Sequence, residues 1–122
     1  MGNKRMSNET ILIMDDESVT LDMYKSYLEP AYRVFTANSG KDGMKILEMV
    51  KPDLVLIDWM MQPMNGLDTT TYIKQHCDVP VIMISSRYVK SEIDYALDHG
   101  VNDYLVKPVE KQQLLELMRK YL

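Results

Sequence analysis

Short apolar segments alternate along the chain with longer segments whose apolar residues recur every three or four positions. The short segments are typical of strands and lie at 10–14, 32–36, 53–57, 81–84 and 103–106. The longer segments predict helices at 18–29, 38–50, 67–76, 88–98 and 110–121. Each connection between strands is long enough for a helical crossover, so consecutive strands are expected to run parallel. The pattern therefore predicts an α/β fold, a five-stranded parallel sheet with helices on both faces.

Capping residues and inward-facing positions complete this local picture. Ser18 is the expected N-cap of the first helix, and Pro30 is expected to end that helix. Gly100 follows the fourth predicted helix, at the position where glycine commonly adopts the left-handed conformation. In the fourth helix, Ala96 and Leu97 are both expected on the inward face.

Length and composition indicate a single globular domain. The chain has 122 residues, of which 46% are hydrophobic and 26% charged, a balance that excludes intrinsic disorder. We expect a domain spanning 1–122, with its core at about 10–122 and an N-terminal extension at 1–9. The formal net charge of −4 argues against direct nucleic-acid binding and against anionic membranes. No apolar run could serve as a signal peptide or a membrane span.

The single cysteine bounds the redox chemistry of the chain. Cys77 excludes an intrachain disulfide framework and a cysteine-based zinc site, and it fits a reducing cytoplasm. We expect this thiol to be partly buried.

Polar residues follow four of the five predicted strands at the point where each strand ends. They are Asp15, Asp16, Asp58, Ser85, Ser86 and Lys107. The carboxyl ends of strands in a doubly wound sheet meet at one edge, which is where ligands bind. We therefore expect three carboxylates, a hydroxyl pair and an amine to share one cleft.

The chemistry of such a cluster is that of phosphoryl groups. Two carboxylates 4 Å apart repel by roughly 4 kcal/mol at an effective dielectric constant of 20, so they need a cation. Oxygen ligands favour a hard ion such as Mg²⁺. Lys107 adds a second positive charge, Ser85 can donate a hydrogen bond to a phosphoryl oxygen, and Asp58 can act as a nucleophile. The cluster predicts metal-assisted acceptance of a phosphoryl group on an aspartate.

Several ordered motifs support this prediction. They are ILIMDDE at 11–17, LVLIDWMM at 54–61, MNGLD at 64–68, PVIMISS at 80–86 and HGVNDYLVKP at 99–108. Over nearly its whole length, from about residue 10 to residue 122, the chain resembles the receiver domain of two-component response regulators, typified by CheY. The resemblance implies a flavodoxin-like (βα)5 fold with strand order 2-1-3-4-5, for which the chemotaxis receiver is a standard example.

The resemblance also implies roles for individual residues. Asp58 would be the phosphoacceptor, with Ser85 and Lys107 completing the catalytic set. Tyr104 would be the aromatic residue that moves with the switch hydroxyl of Ser85, and Ser86 the small residue that controls donor access. The implied Mg²⁺ ligands are the side chains of Asp15, Asp16 and Asp58 and the backbone carbonyl of Met60.

A cytoplasmic signalling module, and not an enzyme with a turnover substrate, is the function that the resemblance implies. A histidine kinase would donate the phosphoryl group, and the domain would catalyse only its own phosphorylation and dephosphorylation. The face made by the fourth helix, fifth strand and fifth helix would then bind an effector domain or protein. A phosphorylation-dependent dimer is left open.

One loop departs from the family pattern. The common loop reads Asp-x-x-Met-Pro-x-Met-Asp-Gly, whereas residues 58–66 read Asp-Trp-Met-Met-Gln-Pro-Met-Asn-Gly. Pro63 therefore comes one position late, and Asn65 replaces an aspartate. The departure bears on the conformation of the loop and leaves the implied ligands unchanged.

Two other classes of protein use related chemistry or a related fold. A dehalogenase-type phosphohydrolase also forms an aspartyl phosphate, but it typically carries Asp-x-Asp after its first strand and a cap insertion. A flavodoxin needs a phosphate loop rich in Ser, Thr and Gly after the first strand. Here that position holds Asp15-Asp16-Glu17, which would repel a phosphate.

Overall fold

Five strands and five helices alternate in the computed structural model, which describes residues 8–122. The strands are β1 (Thr10–Met14), β2 (Arg33–Ala37), β3 (Leu54–Ile57), β4 (Val81–Ser85) and β5 (Asp103–Val106). The helices are α1 (Ser18–Leu28), α2 (Gly40–Val50), α3 (Gly66–His76), α4 (Lys90–Asp98) and α5 (Lys111–Met118). All ten predicted elements are present, with ends that differ by up to three residues. The expected N-terminal extension lies mostly outside the described residues, so the boundary at about residue 10 stays a prediction.

The strands form one parallel sheet in the order β2-β1-β3-β4-β5, which confirms the expected topology. Met14 at the end of β1 pairs with Ile57 at the end of β3. Ser85 at the end of β4 pairs with Val106 at the end of β5. The residues that follow these pairs therefore leave the sheet side by side at its carboxyl edge.

Helices cover the sheet on both faces, as the unalternating apolar strands predict. Every residue of β1, β3 and β4 is buried. One core layer lies between the sheet and helices α1 and α5, and includes Ile11, Ile13, Tyr24 and Leu114. The other lies against α2, α3 and α4, and includes Leu12, Met14, Leu47, Ile73 and Ala96. Successive residues of β1 thus feed opposite layers, as the period of two in a strand requires.

Three local predictions on α1 and α4 have different outcomes. Glu17, and not Ser18, is the N-cap of α1, and its side chain makes no capping hydrogen bond. The predicted cap at Ser18 is therefore wrong. Gly100 has a φ of 108°, which confirms the left-handed residue after α4. Ala96 is fully buried but Leu97 is 39% exposed, because neighbouring helical residues point about 100° apart and only one faces the sheet here.

Helix α3 forms despite three successive threonines of low helix propensity. The hydroxyls of Thr69, Thr70 and Thr71 each donate to the carbonyl four residues earlier, at 2.8–3.1 Å. Packing therefore outweighs propensity, since Thr69 and Thr70 are fully buried.

The thiol of Cys77, just after the helix, is exposed, so the expected partial burial is wrong. None of the described helices has the length and apolar character needed to cross a membrane.

Candidate functional site

A lysine ammonium lies between two aspartates at the carboxyl edge of the sheet. Lys107 Nζ is 3.1 Å from Asp15 Oδ2 and 2.9 Å from Asp58 Oδ2. Asp15 is 2% exposed and Asp58 is 6% exposed, so neither carboxylate has much access to water. The fold thus joins residues 92 and 49 positions apart in the chain. Three of the predicted site residues meet in one cluster.

The second oxygen of each carboxylate is held by the backbone of the turn that follows its strand. Asp15 Oδ1 accepts the Glu17 N–H at 2.9 Å, and Asp58 Oδ1 accepts the Met60 N–H at 3.1 Å. Each carboxylate therefore divides its oxygens between a backbone donor and the ammonium. Such hydrogen bonds hold the side chains in one orientation before any ligand arrives.

Burial and charge act in opposite senses in this cluster. Burial raises the pKa of Asp15, and the nearby charge of Asp58 raises it further, against the lowering effects of the Glu17 N–H and Lys107. Burial alone would lower the pKa of Lys107. Its hydrogen bonds and charge interactions with Asp58 and Asp15 outweigh that effect and raise the pKa above its ordinary value. The two carboxylates therefore favour the charged form of the lysine.

Ser85 at the end of β4 and Tyr104 within β5 are joined through one arginine. Ser85 is fully buried, and its Oγ accepts the Arg87 N–H at 3.2 Å. The Tyr104 hydroxyl donates to the Arg87 carbonyl at 2.8 Å. The Tyr104 ring also meets Trp59 edge-on, with centroids 6.4 Å apart. Ser86 is exposed beside them.

Arg87 is the residue that the sequence analysis missed. Its guanidinium carbon is 4.6 Å from the centre of the Trp59 ring, and its Nη1 is 3.2 Å from Glu92 Oε2. The signal in the sequence is weak, because an arginine two positions after a strand-end serine fits an exposed loop equally well. Only the packing of the loop after β3 against the loop after β4 shows that Arg87 contacts both Trp59 and Glu92.

The loop after Asp58 closes by a backbone contact with α3. The Gly66 N–H donates to the Trp59 carbonyl at 2.8 Å. A Cβ on Gly66 would lie 2.0 Å from the Asp58 carbonyl oxygen, so only glycine allows this approach. Asn65 caps α3 by accepting the Asp68 N–H at 2.8 Å. Asn65 therefore caps the helix as an aspartate at this position would, although it departs from the family pattern.

The structure does not add Asp16 to the cluster. Asp16 is exposed, and among residues 8–122 no three Asp, Glu, His or Cys side chains converge as a metal site. Even so, the donors present suit a hard cation, because the Asp15 and Asp58 oxygens already converge on one positive charge. The Met60 carbonyl belongs to the same turn as the Asp58 carboxylate that accepts its N–H. The set contains only oxygen ligands.

Comparison with known proteins identifies the family. The family model for the response regulator receiver domain matches residues 11–119. The chain belongs to this family. It is 32% identical over 112 residues to the transcriptional regulatory protein AfsQ1 of Streptomyces coelicolor, covering 92% of this chain and 50% of that protein. It is 34% identical over 112 residues to the heme response regulator HssR of Staphylococcus aureus, covering 91% and 50%.

Solved receiver structures agree with the fold of this chain. A receiver domain from Clostridium thermocellum is 30% identical with a TM-score of 0.87, and 93% of each chain is covered. A CheY-like receiver from Methanospirillum hungatei is 28% identical with a TM-score of 0.85, again with 93% of each chain covered. The chain spans about half the length of the curated relatives it matches.

Family membership decides between the classes considered from the sequence. The chain is a receiver domain of the response regulators of two-component systems, a signalling domain and not a typical enzyme. Phosphorylation and the use of Mg²⁺ are general features of this family. The phosphohydrolase and flavodoxin alternatives are therefore set aside.

Proposed function

We propose that this domain accepts a phosphoryl group on Asp58 from the phosphohistidine of a histidine kinase and thereby switches a partner-binding surface. The observation that carries the proposal is the shared ammonium. Lys107 contacts both Asp15 and Asp58 through single oxygens at 2.9–3.1 Å, at the carboxyl edge of a receiver fold. Of the strand-end carboxylates, Asp58 is the one that follows β3, the strand that lies between β1 and β4 in the sheet.

The transfer itself needs one nucleophilic carboxylate oxygen. An Asp58 oxygen attacks phosphorus, a new O–P bond forms, and the P–N bond to the donor imidazole breaks, leaving a neutral histidine after it takes a proton. The ionised Asp58 is held in place by the Met60 N–H and by Lys107. Because the phosphoryl group brings about two negative charges, the ammonium of Lys107 becomes more important after transfer than before it.

The proposed Mg²⁺ ligands are the carboxylates of Asp15, Asp16 and Asp58 and the Met60 carbonyl. A bound Mg²⁺ would offset the charge between carboxylates and phosphoryl oxygens. Of these groups, Asp16 must change most, since it is exposed and outside the present cluster.

The switch would involve Ser85 and Tyr104. Ser85 Oγ accepts the Arg87 N–H, so its own hydrogen can be donated to a phosphoryl oxygen at Asp58. Tyr104 already contacts the Arg87 carbonyl, so its ring is turned toward β4 in this structure. Phosphorylation would stabilise one arrangement of these two side chains and so shift the population of the domain. The exposed Ser86 would control access of the donor.

The output surface would be the face formed by α4, β5 and α5. Tyr88 and Tyr95 are exposed beside and on α4, and both are suited to contact a partner. The partner would be an effector domain or protein, or a second phosphorylated copy of the domain. The expected cellular location is the cytoplasm, where a histidine kinase delivers phosphoryl groups.

Mass spectrometry after incubation with acetyl phosphate and Mg²⁺ tests the proposal. We expect one added phosphoryl group on the wild-type domain and none on Asp58→Asn. The matched control is Asp78→Asn, which removes an exposed aspartate that precedes β4 at the other edge of the sheet and should label like wild type. Equal labelling of Asp58→Asn and wild type would refute the assignment.

A further inference from the structure

One arginine connects the phosphoacceptor loop with both proposed switch residues. The backbone of Arg87 donates its N–H to Ser85 Oγ at 3.2 Å and accepts the Tyr104 hydroxyl at 2.8 Å. Any movement of Ser85 toward Asp58, or of Tyr104 away from β4, must therefore break or carry along a hydrogen bond to this backbone. Both side chains are therefore hydrogen-bonded to the backbone of one residue.

The side chain of Arg87 holds that backbone against the loop after β3. Its guanidinium lies over the ring of Trp59, 4.6 Å from the centroid, and its Nε is 3.2 Å from the sulfur of Met60. On the other side, its Nη1 is 3.2 Å from Glu92 in the first turn of α4. A guanidinium suits this bridge because it stacks by its flat face while its edges donate hydrogen bonds. Lysine has no such geometry.

Trp59 makes this bridge sensitive to the state of the acceptor. It directly follows Asp58, only 8% of it is exposed, and both Tyr104 and Arg87 pack on its ring. A displacement of the Asp58 backbone therefore moves the indole ring, and the ring cannot move without displacing the guanidinium. The same chain of contacts then reaches Ser85, Tyr104 and α4.

We infer that Arg87 is a positioning residue that couples the phosphoacceptor loop to Ser85, Tyr104 and the start of α4. The inference rests on the proposed function, since it names how the state of Asp58 reaches the output face. It assigns no chemical step to Arg87. Loss of the side chain should leave phosphoryl acceptance intact and weaken the response of α4.

The contact itself is tested without any phosphoryl ligand. Trp59 is the only tryptophan, so acrylamide quenching of its fluorescence reports its exposure. Arg87→Ala should raise the quenching constant roughly twofold, because the cation that covers the ring is gone. The control is Lys90→Ala, which removes an exposed cation paired with Asp94 and should leave quenching unchanged. Unchanged quenching in Arg87→Ala would overturn the inference.

The coupling is tested with beryllofluoride and Mg²⁺ as a phosphoryl mimic. Binding is followed by calorimetry, and the response of α4 by hydrogen exchange of its amides. We expect Arg87→Ala to bind the mimic within about threefold of wild type, since the lost contacts are with the side chains of Trp59, Met60 and Glu92 and not with the acceptor cluster, and to lose at least half of the α4 response. Arg87→Lys keeps the charge and should also lose most of it, whereas Lys90→Ala should respond like wild type.

The other outcomes separate the inference from the function on which it rests. A full α4 response in Arg87→Ala or in Arg87→Lys overturns the coupling role while leaving phosphoryl acceptance intact. Loss of mimic binding in Arg87→Ala also overturns it, because Arg87 would then act at the acceptor itself. Absence of mimic binding by the wild-type domain overturns the proposed function, and the coupling with it.

Discussion

Replacing Gly66 by alanine should damage the loop after Asp58 more than any other glycine substitution in the described chain. The added Cβ would lie 2.0 Å from the Asp58 carbonyl oxygen, 2.8 Å from its carbon and 2.9 Å from Trp59 Cα. All three atoms belong to the backbone, so no side-chain rotation relieves the contact. The Gly66 N–H also donates to the Trp59 carbonyl at 2.8 Å, which holds the two segments together.

The free energy of unfolding should fall by a few kilocalories per mole. Forcing an extra methyl group into a close-packed site costs about 1–3 kcal/mol, and separating the segments weakens a hydrogen bond whose net value is about 1 kcal/mol. The higher helix propensity of alanine returns at most about 1 kcal/mol, and less in the first turn of a helix. We therefore expect a net loss of about 2 kcal/mol. For a domain of this length that lowers the melting temperature by roughly 6–10 °C.

Two measurements check this expectation. Urea unfolding gives the loss of stability, and the rate of labelling by acetyl phosphate gives the displacement of Asp58. We expect that rate to fall at least tenfold, because nucleophilic attack needs near-ideal alignment, and a misplacement of about 1 Å costs on the order of 100-fold.

The control is Gly43→Ala, in the first turn of α2. The atoms nearest to its Cβ would all belong to the side chain of Met14, whose thioether end can turn aside. We expect a much smaller loss of stability and normal labelling. If Gly66→Ala were as stable as wild type and labelled at the same rate, the close approach of Gly66 to Asp58 would not constrain the site.

Three further predictions concern charge and loop packing. Lys107→Met should lower the free energy of unfolding at pH 7 by about 2 kcal/mol, because it leaves Asp15 and Asp58 buried without their ammonium. Asp15→Asn should raise the stability of the metal-free domain at pH 7. Burial raises the pKa of Asp15, so its ionisation costs stability as the pH rises above 3.8, and the gain of the variant should shrink as the pH falls toward that value. Asn102→Ala should cost about 1–2 kcal/mol, since it removes the acceptor of the Val81 N–H at the start of β4.

Urea unfolding at several pH values tests all three. For Lys107→Met, an unchanged midpoint at pH 7 would mean that water already screens the two carboxylates. For Asp15→Asn, a gain that stayed constant from pH 7 to pH 4 would show that titration of this carboxyl is not its source. For Asn102, the control is Asn102→Asp, which keeps the acceptor oxygen. Equal losses in the alanine and aspartate variants would contradict the proposed hydrogen bond.

The sequence pattern predicted the alternation of strands and helices and the meeting of Asp15, Asp58 and Lys107 at one edge of the sheet. The unalternating apolar strands predict burial on both faces, and the longer amphipathic segments predict crossover helices. Both predictions rest on the hydrophobic periodicity within one strand or one helix, which can be seen in a short stretch of sequence. The strand-end positions of Asp15, Asp58 and Lys107 then predict their meeting at one edge, because parallel strands end on the same side. Strand order itself came from the family resemblance, and the structure confirms it.

The tertiary structure decided which side chains and backbone groups of different loops are in contact. The sequence analysis expected Asp15, Asp16, Asp58 and Lys107 to share one cleft. The structure shows Lys107 between Asp15 and Asp58, and Asp16 exposed. The sequence analysis also did not predict the bridge formed by Arg87 or the close approach of Gly66 to the Asp58 backbone. These contacts join loops that leave different strands, so they depend on distances across the sheet and on how loop backbones pack. Hydrophobic periodicity carries no information about either, because it records only which side of one element is buried.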